Sequence, residues 1–181
     1  TIGASGDTTN IVGTLQNNGS AVATTNGITG ADQFRLSADF AGEATPISSN
    51  LERVDNSTFA KIGNGMSLSS GVFTFPETGL WLVEIIALTE RTNSNDNSMK
   101  ILIDTTTNNY TDGGTFVAAS ITSGATEPST NMGTGRTFYN VTNTSNNKVR
   151  FSTSGMGGNT TKGDSGINET YFTFIRLGAS Q

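Results

Sequence analysis

Histidine and cysteine are both missing from the 181 residues, and with them go the usual general base, the thiol nucleophile and the common zinc ligands. A serine nucleophile would need a supported base beside a Gly-x-Ser-x-Gly elbow, and the chain has no such elbow. Fifteen Asp and Glu residues leave room for a converging carboxylate pair of the glycosidase kind, but the sequence singles none out. The chain therefore reads as a non-enzyme that needs no cofactor. Three other groupings invite chemistry. Gly157 to Gly163, GGNTTKG, is superficially similar to a phosphate loop but lacks the G-x-x-x-x-G-K-[ST] order and the following helix, so it reads as a loop tip. Asn93, Asn95, Asp96 and Asn97 gather oxygens with one carboxylate among them, which suits a solvated turn better than a calcium loop. No metal site is expected.

The third grouping is Glu84, the one ionisable residue inside the apolar run Leu80 to Leu88. A carboxylate buried alone is costly, so it must be paired or protonated. Its surroundings follow from the elements that carry it. Gly63 to Glu90, GNGMSLSSGVFTFPETGLWLVEIIALTE, reads as a strand, a Pro/Gly turn and a long apolar strand. In that long strand Trp81, Val83 and Ile85 face one way while Leu80, Leu82, Ile86 and Leu88 face the other. Both faces need apolar cover; one is the core and the other requires a partner.

Phe34, Leu36, Ala38 and Phe40 alternate with Arg35, Ser37 and Asp39 as a half-buried strand. Further strands are expected at 45 to 54, 58 to 62, 71 to 75, 80 to 91, 98 to 105, 114 to 122, 135 to 142, 147 to 154 and 169 to 177. Turn residues at Asn64-Gly65, 76 to 79, 92 to 98, 112 to 114 and 155 to 166 separate them. No 3.6-residue apolar period is sustained and β-branched residues fill the apolar positions, so the chain is read as all-β, an antiparallel sandwich or barrel. Residues 1 to 30 carry too few apolar side chains for a core of their own. They read either as an extended, stalk-like assembly arm or as a flexible linker, and 31 to 181 as the head domain.

Hydrophobic residues make up 33% and charged residues 14% of the chain, which implies a thin core and a neutral, polar surface. The net charge of −5 and the singly scattered Lys and Arg exclude a phosphate-tracking surface, so no nucleic-acid partner is expected. No run of about 18 apolar residues exists, and no membrane insertion is expected. Several Asn-x-Ser/Thr triplets, at Asn56, Asn140, Asn143, Asn159 and Asn168, arise by chance in so Asn- and Thr-rich a chain.

Ser70 to Val83, SGVFTFPETGLWLV, resembles the TGxFTxPxxGxYxF strand-turn-strand of the complement component one q globular head, which shares its jelly roll with tumour necrosis factor. Val141 to Phe151, VTNTSNNKVRF, is similar to that family's LxxGDxVWL hairpin, and Glu169 to Gly178, ETYFTFIRLG, to its closing strand. The chain departs from the pattern at Asn146-Asn147, at Trp81 and in its long polar loops. The resemblance implies a ten-stranded jelly roll in two five-stranded sheets, with three copies packed around an axis. It places Trp81, Leu82, Glu84, Ile86, Arg35, Phe172, Phe174 and Arg176 at the trimer interface, with Arg35 and Arg176 as partners for Glu84. The segment TIGASGDTTNIVGTLQNNG also resembles, in composition, stretches of bacteriophage fibre and tail proteins.

The expected function is a virion structural protein of a tailed bacteriophage: a trimeric fibre, capsid fibre or decoration module. Capsid or tail proteins would be met through residues 1 to 30. A host-surface glycan or protein would be met through loops carrying Asn93, Asn95, Asp96, Asn131, Asn159 and Lys162. A secreted recognition module and a ligand-free capsid cement are the alternatives.

Overall fold

The computed structural model describes residues 16–17, 20–21, 27–92, 98–122 and 128–181. Fourteen strands are present among them and no helix. Gln16–Asn17 (β1) and Ser20–Ala21 (β2) form a short antiparallel ladder of their own. Residues 27 to 30 of the expected arm are described as well, and its remainder lies outside the described residues.

The other strands are Ala31–Leu36 (β3), Ala38–Ala41 (β4), Leu51–Arg53 (β5), Ser67–Ser69 (β6), Val72–Thr74 (β7), Gly79–Arg91 (β8) and Met99–Thr106 (β9). They continue with Thr115–Thr122 (β10), Ser129–Val141 (β11), Lys148–Ser154 (β12), Thr160–Asp164 (β13) and Tyr171–Gly178 (β14). They build a five-stranded sheet in the order β10-β9-β12-β7-β6 and a seven-stranded sheet around β8. β8 pairs along its whole length with β11; on its other side it pairs with β14 and then with β13. β14 pairs in turn with β3, and β3 with β5. Every pairing is antiparallel, as the short strands and turn spacing predict.

The Pro76 to Gly79 turn does not close a hairpin. It carries the chain from β7 in one sheet to β8 in the other, so the two strands face each other across the core. Phe73 and Phe151 from the five-stranded sheet meet Phe34, Phe172 and Phe174 from the seven-stranded one. Phe73 lies 5.0 Å from Phe34 and 5.1 Å from Phe174, centroid to centroid, and Phe151 stacks on Phe172 at 4.1 Å. Such pairs add specific geometry to the large apolar area they remove from water. In a chain with 33% hydrophobic residues, the core is thus concentrated in aromatics at the sandwich centre.

Two glycines permit the close approaches this needs. Gly71 has φ +80°, and a Cβ there would sit 2.3 Å from the Ile47 carbonyl oxygen. A Cβ at Gly135 would lie 2.5 Å from the backbone of Ala119, so glycine lets β11 of one sheet close against β10 of the other.

The architecture departs from the expected two five-stranded sheets. Residues 155 to 166, expected as a loop, contain β13, which inserts between β4 and β8. Residues 58 to 62 form no strand beyond the single bridge of Ile62 to Ala31. β6 was not expected, and β11 begins at Ser129 rather than near 135.

Candidate functional site: the outer face of the seven-stranded sheet

The alternation along β8 resolves which face is which. Trp81, Val83, Ile85 and Ala87 are at most 1% exposed and point into the sandwich. Leu80, Leu82, Glu84, Ile86 and Leu88 lie on the outer face and are only half covered. The same parity runs through the neighbours: Phe172 and Phe174 of β14 are fully buried in the core, while Tyr171, Thr173 and Ile175 look outward. Trp81, Phe172 and Phe174 therefore hold the two sheets together and cannot serve as interface residues; a one-residue register choice decides this, and the sequence did not contain it. Leu82, Glu84 and Ile86 are on the outer face.

Register sorts that face into rows. Phe138, Leu82, Ile175 and Ala31 stand opposite one another across β11, β8, β14 and β3, an apolar row. The next row is polar: Arg136, Glu84, Thr173 and Gln33. Beyond it Thr134, Ile86 and Tyr171 align, and then Met132 with Leu88. Phe138 is 68% exposed, Met132 65% and Leu177 49%. Large apolar side chains so exposed, beside half-covered Leu and Ile, mark an interaction surface. Phe138, Met132, Ile175 and Leu177 escaped the sequence reading, although Met132, Thr134, Arg136 and Phe138 follow a period of two that could have shown their common face.

Glu84 finds neither of its expected partners. Arg136, directly opposite on β11, is its counter-ion at 3.9 Å. Arg35 is fully buried beneath the turn after β5 and the loop before β14. Its Nε donates to Glu52 at 2.7 Å, Nη2 to Asp55 at 2.5 Å, and Nη1 to Asn56 at 2.6 Å and Asn168 at 3.4 Å. With every direction of its fork occupied it is a structural clamp, not an interface residue. Arg176 sits at the rim, donating to the Thr78 carbonyl and the Thr29 hydroxyl, with Glu77 at 3.7 Å. The Tyr171 phenol on this face is pushed above its ordinary value, first by burial and then by the charge of Glu84.

The expected recognition residues do not form one surface. Asn93, Asn95 and Asp96 lie outside the described residues. Asn159 is fully buried: its side-chain oxygen accepts from the Thr92 backbone at 2.8 Å and its carbonyl from Gly42 at 3.0 Å. It braces the point where the chain leaves β8, and is not available to a ligand. Lys162 belongs to β13, where its ammonium bonds Asp39 of β4 and lies 3.3 Å from Glu90 of β8. Asn131 is a half-buried strand residue of β11 opposite Thr89.

A small polar hollow of about 230 Å³ lies in the turn from β9 to β10, lined by Thr105 to Asn108 and Asp112 to Thr115. The Thr106 hydroxyl already accepts the backbone N–H groups of Asn108 and Tyr110, and the Asn108 side chain donates to Asp112 at 2.9 Å. These bonds consolidate the turn. Beneath it Arg150 donates to Asp104 at 2.6 Å and stacks 4.0 Å over the Tyr110 ring. Burial, followed by the charge of Asp104, drives the Tyr110 phenol far above its ordinary value. Among the described residues no group of three or more His, Cys, Asp or Glu could hold a metal ion.

Eiger TNF from S. frugiperda superposes with a TM-score of 0.62 at 13% identity, over 83% of this chain and 94% of that one. Murine APRIL, at pH 5.0, gives 0.61 at 10% identity, over 82% and 98%. The fold is thus a TNF-like jelly roll. No family description and no curated protein matches the sequence.

Proposed function

We propose that this chain is a non-enzymatic, homotrimeric jelly-roll module that serves as a structural or attachment head. The observation that carries this is the outer face of the seven-stranded sheet, where Phe138, Leu82 and Ile175 form an apolar row on a surface that the single chain leaves open. A second copy covering it would add to the thin core the buried area that obligate assemblies supply, on the order of 2,000 Å² or more. The resemblance to the complement component one q head favours three copies, and the TNF-like fold supports it. The lack of His and Cys and of a metal cluster among the described residues supports a binding role over catalysis.

The finer reading is a virion protein of a tailed bacteriophage, displayed as a fibre, capsid fibre or decoration module. Residues 1 to 30 would be the arm that meets capsid or tail proteins. The recognition end would be the one where the chain leaves β8 at Thr92 and β10 at Thr122, because the pairings Ser129 to Arg91 and Thr122 to Met99 bring those exits to one end of the sandwich. A host-surface glycan or protein is the ligand class. The likeness to Eiger TNF and APRIL favours one second reading, a secreted recognition module with the same head.

Size-exclusion chromatography with light scattering tests the assembly. Wild type is expected as a trimer and Phe138→Asp as a folded monomer; a wild type that is monomeric at tens of micromolar overturns the proposal. Binding of the purified protein to bacterial cells, against binding to animal cell surfaces or to neither, separates the attachment readings from a ligand-free cement.

A further inference from the structure

Arg136 and Glu84 carry opposite charges on the face assigned above to self-association, and among the described residues neither side chain makes a hydrogen bond. The two stand 3.9 Å apart, too long for a hydrogen bond. The Arg136 side chain is 71% exposed and that of Glu84 24%. The guanidinium has five donors and the carboxylate about four acceptor positions. In a free chain water satisfies both. Covered by an apolar neighbour, both would be desolvated with most of that hydrogen-bonding capacity unmet, which is costly.

The rest of the polar row is already satisfied. Gln33 donates to the Thr173 hydroxyl at 2.9 Å and accepts from Asn168 at 2.7 Å. Among the described residues, the side chains of this row without any hydrogen bond are therefore those at its β11 end. There the two charges border a groove of about 460 Å³, completed by Ile86, Met132, Gly133 and Thr134. Such a groove is complementary to a surface with one cation, one anion and apolar neighbours, which is what this face itself offers. The two groups also differ in position: Glu84 stands on central β8 and Arg136 on β11, beyond which no further strand of this sheet lies among the described residues. A lateral donor and a central acceptor suit a head-to-tail contact, the kind that closes a ring, where one copy presents its edge to the face of the next.

We propose that the groove is occupied by a second copy of this chain, and that Arg136 of each copy donates to Glu84 of its neighbour, so the pair is made between chains. The inference rests on the self-association reading and adds the contact that sets orientation and partner choice. Charge reversal and mixing test it on the full chain. Glu84→Arg alone and Arg136→Glu alone should each raise the dissociation constant roughly tenfold or more by placing like charges together. An equimolar mixture of the two variants should recover assemblies containing both, because in a mixed ring of three two junctions regain opposite charges. A pair confined within one chain gives no rescue on mixing.

Should circular dichroism show either reversal misfolded, Glu84→Gln and Arg136→Gln replace them, and the double variant should lose no more affinity than the weaker single one. Single variants that assemble like wild type, or a mixture that stays dissociated, overturn the inter-chain pair while leaving the assembly intact as a proposal. Failure of Phe138→Asp to change the mass of a trimeric wild type overturns the use of this face, and the pair with it.

Discussion

The two faces of β8 carry similar side chains and meet different fates. Trp81, Val83, Ile85 and Ala87 are sealed within the sandwich, whereas Leu80, Leu82, Ile86 and Leu88, on the opposite side of the same strand, remain half open. The inner face is covered by the phenylalanines of two sheets; among the described residues the outer face has no second sheet over β8 and β11, and its middle row holds the Glu84 and Arg136 side chains without hydrogen bonds. Apolar content alone therefore does not decide which surface stabilises a chain and which associates. What decides it is whether the fold provides cover, and a polar pair left unsatisfied on an apolar face points to cover from outside.

Mutation can break this contrast most strongly on the inner side. Phe73 touches Phe34, Phe151, Phe172 and Phe174 across the core, so Phe73→Ala should lower unfolding free energy by about 3 to 5 kcal/mol, measured by urea denaturation. Arg35 is next. Arg35→Ala strands the carboxylates of Glu52 and Asp55 and frees the Asn168 loop; since both carboxylates reach water, a loss of about 2 to 3 kcal/mol is expected in the same assay. Phe73→Ala leaves the outer face untouched, so assembly of the fraction that remains folded should persist.

A smaller effect sharpens the difference between clamped and free charges. Burial alone would raise the Asp39 carboxyl, but the Lys162 ammonium and the Gly163 N–H outweigh it and hold it below 3.8; Lys162 is raised above 10.5 chiefly by its bond to Asp39. The lowered carboxyl stabilises the fold above its ordinary value and ceases to as pH falls through the depressed one. The raised ammonium stabilises below its ordinary value and ceases to as pH rises through the elevated one. Lys162→Met should thus cost about 0.2 to 1 kcal/mol between roughly pH 5 and 10, the discount reflecting solvent screening, and the gap should close at both extremes in melts across pH.

The regions that were legible and those that were not divide along physical lines. β8 could be read because its period of two is written in large apolar residues, and β14 because Phe172 and Phe174 keep the same period. β13 could not, since its TTKGD sequence has no apolar signal; it is held by backbone ladders to β4 and β8, with Thr161 opposite both Phe40 and Thr89. Which parity faces inward was equally hidden, because Trp81 and Leu82 are both plausible core residues and only the opposite sheet chooses between them. Arg35 was misassigned to Glu84 because its partners Asp55 and Asn168 reach it through turns whose paths no local pattern encodes. Asn159 looked like a loop tip by composition and is a buried brace by position.

The most direct measurement is the mass of the purified 181-residue chain by light scattering at tens of micromolar, for wild type and Phe138→Asp side by side. Wild type should elute at three times the 18.8 kDa chain mass and Phe138→Asp at the chain mass, with both retaining the same β-rich circular dichroism spectrum. A wild type that elutes at the chain mass, or a Phe138→Asp variant that remains trimeric, would contradict the assignment of this face to self-association.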